Sequence, residues 1–279
     1  MSTADSGSIW TQPAPGSRKP RFTRDQIAEV AIRIADREGF EALSMRRIAD
    51  ELGAGTMTIY HYVRTKEDLI SLIDDALTAE VLVAPDQLTR DWVASLAAIG
   101  RASYGILRRH PWALSALSGA AFGPNGMRHL EQSLVAVAHA PFDLRSKFDA
   151  ISIVDEYVFG HFHRNAEIGR HTEFSGPDAP SPALLGFVRE QLATGEYPVF
   201  SAMVGDDLAG ALRGFARQMN DADRFERGLI AVLEGLRRTL GGGRRRTAKS
   251  SAKRDRARDS GRTQRAPAGP RSRRRTARG

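Results

Sequence analysis

Between residues 44 and 66 the chain concentrates groups that can hold an anion or read a base edge. Arg46, Arg47, Arg64 and Lys66 carry positive charge. Ser44, Thr56 and Thr58 offer hydroxyls; Tyr60, His61 and Tyr62 offer rings with polar tips, and Met57 an apolar contact. Arginine can pair through two N–H groups with a guanine edge, whereas hydroxyls, lysine and tyrosine suit phosphate oxygens. That mixture points to double-stranded DNA as the partner. The candidate DNA-binding set is Ser44, Arg46, Arg47, Thr56, Met57, Thr58, Tyr60, His61, Tyr62 and Lys66.

Bond-breaking chemistry has far less support. Cys is absent, which excludes disulfides, thiolate zinc sites and a cysteine nucleophile. Ser115 and Ser118 lack the Gly-x-Ser-x-Gly frame of a nucleophile elbow. His163, Glu167 and His171 are spaced to share one helix face, a conceivable metal site, but Gly169 is expected to fray that helix before His171. No enzyme activity, metal or cofactor is expected.

The elements that must position the set are two short helices meeting at a glycine. Ser44 caps the first, whose inner face is Met45, Ile48, Ala49 and Leu52. Gly53 stops it, and Thr56 is expected to cap the second, with Ile59, Tyr62 and Val63 inward. A small residue at the crossing, a glycine in the turn and an aliphatic anchor are what a helix-turn-helix needs. Upstream, Thr23 and Gln26 form a capping-box pair before the apolar stripe Ile27, Val30, Ala31, Ile34 and Ala35, and Gly39 ends that helix. A fourth helix is expected over 66–82. Residues 88–240 then read as helices near 88–109, 111–118, 124–139, 143–168, 182–194, 205–217 and 221–240, with prolines mostly at first turns or in loops.

The stretch 22–77 resembles the DNA-binding domain of the tetracycline-repressor (TetR) family. The resemblance is carried by Gly39-Phe40, Leu43 to Ala49, Leu52-Gly53, Thr58 to Val63 and Lys66 to Leu69. It implies an all-α protein: an N-terminal helix-turn-helix domain over 22–66 and a larger helical ligand-binding and dimerisation domain over 67–240. In the family the matching arginine at Arg46 contacts guanine, and the positions of Tyr60, His61, Tyr62 and Lys66 hold the DNA backbone. The last long helices, here 143–168 and 221–240 with Leu229 and Leu233, pair as a homodimer on a palindromic operator. A small-molecule effector lies under the fourth helix; the candidate lining residues are Trp92, Tyr104, Trp112, Phe122, Met127, Tyr157, His161 and Asn165. Leu82 stands where tetracycline repressor has a histidine, so neither tetracycline nor its magnesium is carried over. The resemblance implies a transcriptional repressor released by a largely apolar compound.

The net charge of +8 is unevenly spread. Residues 241–279 hold 15 Lys+Arg against 2 acids, while 67–240 carry a net −7. Residues 1–21 and 241–279 are poor in apolar groups and are expected to be disordered arms. A tail of that charge binds any DNA by releasing counterions, which leaves a second reading open: a nonspecific DNA-coating protein driven by the tail. No 18-residue apolar run and no signal peptide is visible, so the expected compartment is the cytoplasm, with no membrane partner.

Overall fold

The computed structural model describes residues 8–12, 21–117, 120–170, 180–219, 221 and 223–241. The basic tail from 242 onward lies outside them, as do residues 1–7 and 13–20. Every regular element among the described residues is a helix. The first four are α1 (Arg24–Glu38), α2 (Met45–Glu51), α3 (Thr56–Tyr60) and α4 (Lys66–Val81). They are followed by α5 (Trp92–Arg109), α6 (Ala113–Ala116), α7 (Pro124–Val137) and α8 (Leu144–Arg170). The remainder are α9 (Pro182–Ala193), α10 (Pro198–Val204), α11 (Leu208–Met219) and α12 (Arg224–Gly241). None is long and apolar enough to cross a membrane.

Local chemistry sets the boundaries of the first helices. The Thr23 hydroxyl accepts from Gln26 N–H at 3.1 Å, and the Gln26 side chain accepts from Thr23 N–H at 2.9 Å. Ser44 caps α2 by accepting from Arg47 N–H at 3.1 Å. Gly53 has φ +60°, a left-handed backbone that glycine adopts at least cost. Thr65 and Asp68 make a second capping box at the start of α4. Two details differ from expectation. Gly55, not Thr56, is the N-cap of α3, and it makes no side-chain cap bond. Residues 198–219 form two helices, α10 and α11, broken at Gly205 with φ +54°.

Two apolar cores divide the molecule. The first joins α1 to α4 through Ile27, Ile34, Ile48, Ile59, Val63 and Ile73, and reaches Ile106 of α5 and Ala113 of α6. The second joins α5, α7, α8 and α12 through Leu96, Ile99, Val137, Val154, Val158, Leu229 and Leu233. Leu229 and Leu233 are 0% exposed. They are therefore core of the single chain, against the expectation that they face a second copy. The outward faces of α8 and α12 carry Ile153 and Ile230 instead.

The expectation of an unordered arm over 1–21 also needs correction at residues 8–12. Ile9 is buried in the first core, and the Trp10 indole N–H donates to Ala121 O at 3.2 Å. Arg24 on α1 donates to Ile9 O at 3.0 Å. This short turn thus touches both the DNA-binding domain and the loop before α7. The same loop is held by Asp75, whose carboxylate accepts from Asn125 N–H (2.8 Å), Asn125 Nδ2 (2.9 Å) and Gly126 N–H (3.3 Å). A Cβ at Gly123 would overlap the pinned Asp75 carboxylate and lie 2.7 Å from the Trp10 ring. Gly123→Ala should therefore lower the unfolding free energy by about 1–3 kcal/mol, the usual cost of overpacking. Urea denaturation checks this; an unchanged midpoint would show that the loop relaxes freely.

Candidate nucleic-acid interface and cavity

The helix-turn-helix presents one polar face. Arg46 is exposed in the first turn of α2, and its guanidinium has no ion pair among the described residues. On α3 and the turn after it, Met57 is 72% exposed, Tyr60 and His61 are exposed, and Thr56 and Thr58 are half-buried. Lys66 opens α4, exposed, with its ammonium 5.7 Å from the Phe40 ring centroid. These groups rest on Ile48, Ala49 and Ile59, all 0% exposed. A hydrogen bond from Arg21 to Gly53 O, 2.9 Å, ties the chain before α1 to the turn.

Two members of the candidate set do other work. Arg47 makes a bidentate pair with Glu38 (Nη2–Oε1 2.7 Å, Nε–Oε2 3.1 Å) and a further bond to Glu51 at 2.9 Å. Arg37 joins the same two carboxylates. Hydrogen bonds from Arg47, then Arg37, pull the Glu38 carboxyl down to about 2. With its donors taken inside the chain, Arg47 braces α2 against α1 rather than standing open to DNA. Tyr62 is 7% exposed, with its ring edge-on to Phe22, and its hydroxyl accepts from Phe22 N–H at 3.4 Å. The reason is that α3 closes at Tyr60, and in the turn that follows both Tyr62 and Val63 bond back to Ile59 O and point inward.

Lys66, exposed in the first turn of α4, is expected from the family resemblance to hold a backbone phosphate. A phosphate contact adds affinity for every sequence equally. Lys66→Ala should weaken operator and random DNA alike and reduce the salt slope by about one unit. A salt titration showing an unchanged slope would remove Lys66 from the interface.

Below the reader lies a cavity of about 290 Å³, at the small end of ligand pockets. Asp74, Leu77, Thr78 and Val81 of α4 form one wall. Ser103, Ile106 and Leu107 of α5, Leu114 of α6, His129 of α7 and Phe159 of α8 line the rest of this partly open space. It lies on the seam of the two cores: Leu77 and Ile106 belong to the first, Leu107 and Leu114 to the second. The expected place, beneath the fourth helix, thus holds a cavity, but none of the eight expected lining residues faces it. Trp92 packs edge-on to Phe142 at 5.0 Å, and Phe122 and Met127 are exposed. Tyr104, Tyr157 and His161 gather around Phe225: Tyr104 stacks on it at 3.8 Å, and the Tyr157 hydroxyl donates to its carbonyl at 2.9 Å. Asn165 bonds His161 Nε2 at 2.9 Å. Trp92, Tyr104 and Tyr157 thus pack in or against the second core, and mostly aliphatic side chains, with Phe159, line the space.

No sequence motif marks the cavity's polar groups, although Asp74, Leu77, Thr78 and Val81 share one helix face by spacing. Burial, and next the charge of Asp75, raise the Asp74 carboxyl to about 6. Burial lowers the pKa of His129. The third member of the conceivable metal set, His171, lies outside the described residues, and α8 continues past Gly169 to Arg170.

A junction links the cavity wall to the reader. At the end of α5 and the start of α6, His110 Nδ1 lies 2.7 Å and Trp112 Nε1 2.8 Å from the Asp36 carboxylate of α1. The Trp112 ring stacks on Phe40 at 5.7 Å.

Residues 27–73 match the model of the bacterial regulatory proteins, tetR family, and residues 84–240 match the tetracyclin repressor-like C-terminal domain. An HTH-type transcriptional repressor, DrrR1, of Streptomyces coeruleorubidus is 34% identical over 236 residues, covering 82% of this chain and 83% of that protein. An HTH-type transcriptional regulator of Saccharopolyspora erythraea is 31% identical over 241 residues, 84% of this chain and 93% of its own. Among solved structures, Streptomyces coelicolor ActR in complex with actinorhodin aligns over 80% of this chain and 99% of its own, with TM-score 0.57 and 23% identity.

Proposed function

The chain belongs to the TetR family of bacterial transcriptional regulators, DNA-binding proteins rather than enzymes, and from that premise we propose that it is a ligand-released repressor. It acts in the cytoplasm as a homodimer on a palindromic operator. One observation carries the ligand-responsive part: the cavity lies between the two cores, and its α5–α6 wall is joined to α1 by the Asp36 junction. A compound that fits better when the cores shift stabilises an arrangement with the two readers respaced, and operator affinity falls by the same differential. The outward faces of α8 and α12, two helices that pack together and carry the exposed Ile153 and Ile230, suit the pairing of two copies. The named relative that is a repressor supports the direction of control, and the ActR complex supports a small-molecule trigger.

The test is release. Protein bound to a labelled operator is challenged with a library of largely apolar compounds, and at least one class should free the DNA. Ser103→Phe, which fills the cavity from its α5 wall, should keep operator affinity and lose release. If the filled variant still lets go, the effector binds elsewhere; if no compound releases the wild type, the repressor is not ligand-responsive.

A further inference from the structure

The cavity's polar groups restrict what can occupy it. Asp74 is the one acid in the lining, and no hydrogen bond or ion pair among the described residues engages its carboxylate. Its neighbour Asp75 is used up capping α7. The surrounding wall is apolar, aliphatic side chains with Phe159, apart from the Thr78 and Ser103 hydroxyls and His129. A carboxylate left facing such a space lacks a counter-charge, and an anionic ligand would add repulsion.

The orientation of His129 follows from Gln132. The Gln132 side-chain oxygen accepts from Val83 N–H at 3.0 Å, which places its NH2 toward the Val81 carbonyl (3.4 Å) and His129 Nδ1 (2.9 Å). His129 Nδ1 therefore accepts, and in the neutral ring the proton sits on Nε2 as a donor. The lining thus offers one anionic acceptor on α4 and one imidazole donor on α7, set in an apolar shell.

Resting on the ligand-released reading above, we infer that the effector is a largely apolar ring compound bearing a basic nitrogen that is protonated at neutral pH: this cationic N–H group pairs with the Asp74 carboxylate, and an oxygen of the same compound accepts from His129 Nε2. At neutral pH the carboxyl, raised to about 6, is mostly ionised, and the protonated nitrogen supplies the charge that the protein does not. Carboxylates and phosphates are excluded by Asp74 and by Asp75 behind it. A neutral ring system gains the apolar contacts alone.

Two matched probes test the charge. 9-Aminoacridine is protonated at its ring nitrogen at neutral pH; acridone keeps the three-ring system without the charge and adds a carbonyl that can accept from His129, so tighter binding of the first reports the charge against that gain. Fluorescence titration of the full-length protein, free of DNA, should show 9-aminoacridine binding about ten-fold or more tightly than acridone, the usual scale for a charge-assisted bond. Asp74→Asn should bring that ratio to near one while leaving acridone affinity unchanged. Asp74→Glu, which keeps the charge should the asparagine variant fold poorly, should preserve the preference. A ratio near one in the wild type, no binding of the cation, or an equal loss of both probes in Asp74→Asn overturns the inference. Release from operator separates it from the broader proposal. If only neutral compounds acting through this cavity release DNA, the cation assignment fails and the repressor reading stands. If the cation binds selectively and no compound alters DNA binding, the cation assignment stands and the ligand-released reading fails.

Discussion

Arg46→Ala should relax base preference at one position in each half-site and leave the other positions as they are. A bidentate arginine–guanine pair contributes about 1–3 kcal/mol of discrimination, roughly five-fold to over a hundred-fold. Arg46 is exposed in the first turn of α2 and free of the Glu38–Glu51 network that holds its neighbour Arg47. The substitution therefore removes a reaching group and disturbs no internal pairing. Binding profiles over all single-base variants of the operator measure the effect. A uniform loss over all sequences would make Arg46 a phosphate contact.

The second large effect concerns symmetry. Ile153 on α8 and Ile230 on α12 are 38% and 39% exposed, and the two helices pack side by side. Replacing both by glutamate puts charge on the proposed interface without touching either core. The variant should run as a folded monomer in light scattering. Its affinity for a palindrome should fall by about 10²–10⁴-fold, the usual gain from linking two binding events. A variant that remains dimeric would place the interface elsewhere, for example on α9 to α11, where Phe187, Phe200 and Phe215 are exposed. Aspartate at Leu229 or Leu233 would not test the point, because both are buried within one chain and charge there unfolds the domain.

The reader was legible in the sequence because its signals are local. Thr23 with Gln26, Ser44, Gly53 and the Ile48–Ile59 anchor act over a few residues, and each appears in the fold where spacing places it. Tyr62 was ambiguous, since residue type suits both a phosphate contact and a core ring; the closing of α3 at Tyr60 decides it, and that depends on tertiary packing. The internal pairing of Arg47 is not legible for a similar reason, because its partners Glu38 and Glu51 lie on two helices whose crossing no spacing rule gives. In the larger domain the helices were readable from proline placement and apolar period, but the cavity was not. Ring size pointed to Trp92, Tyr104 and Tyr157, whereas the lining depends on which faces of five helices fail to meet.

The most direct measurement is selection of bound DNA from a random-sequence pool by the full-length protein, repeated across a salt series. The account predicts a two-fold symmetric consensus with half-sites about one helical turn apart, ~34–36 Å, and a preference for that consensus that survives as salt rises. Recovery of DNA with no consensus, bound with an affinity that falls steeply with salt, would contradict it and favour a protein that coats DNA through its basic tail.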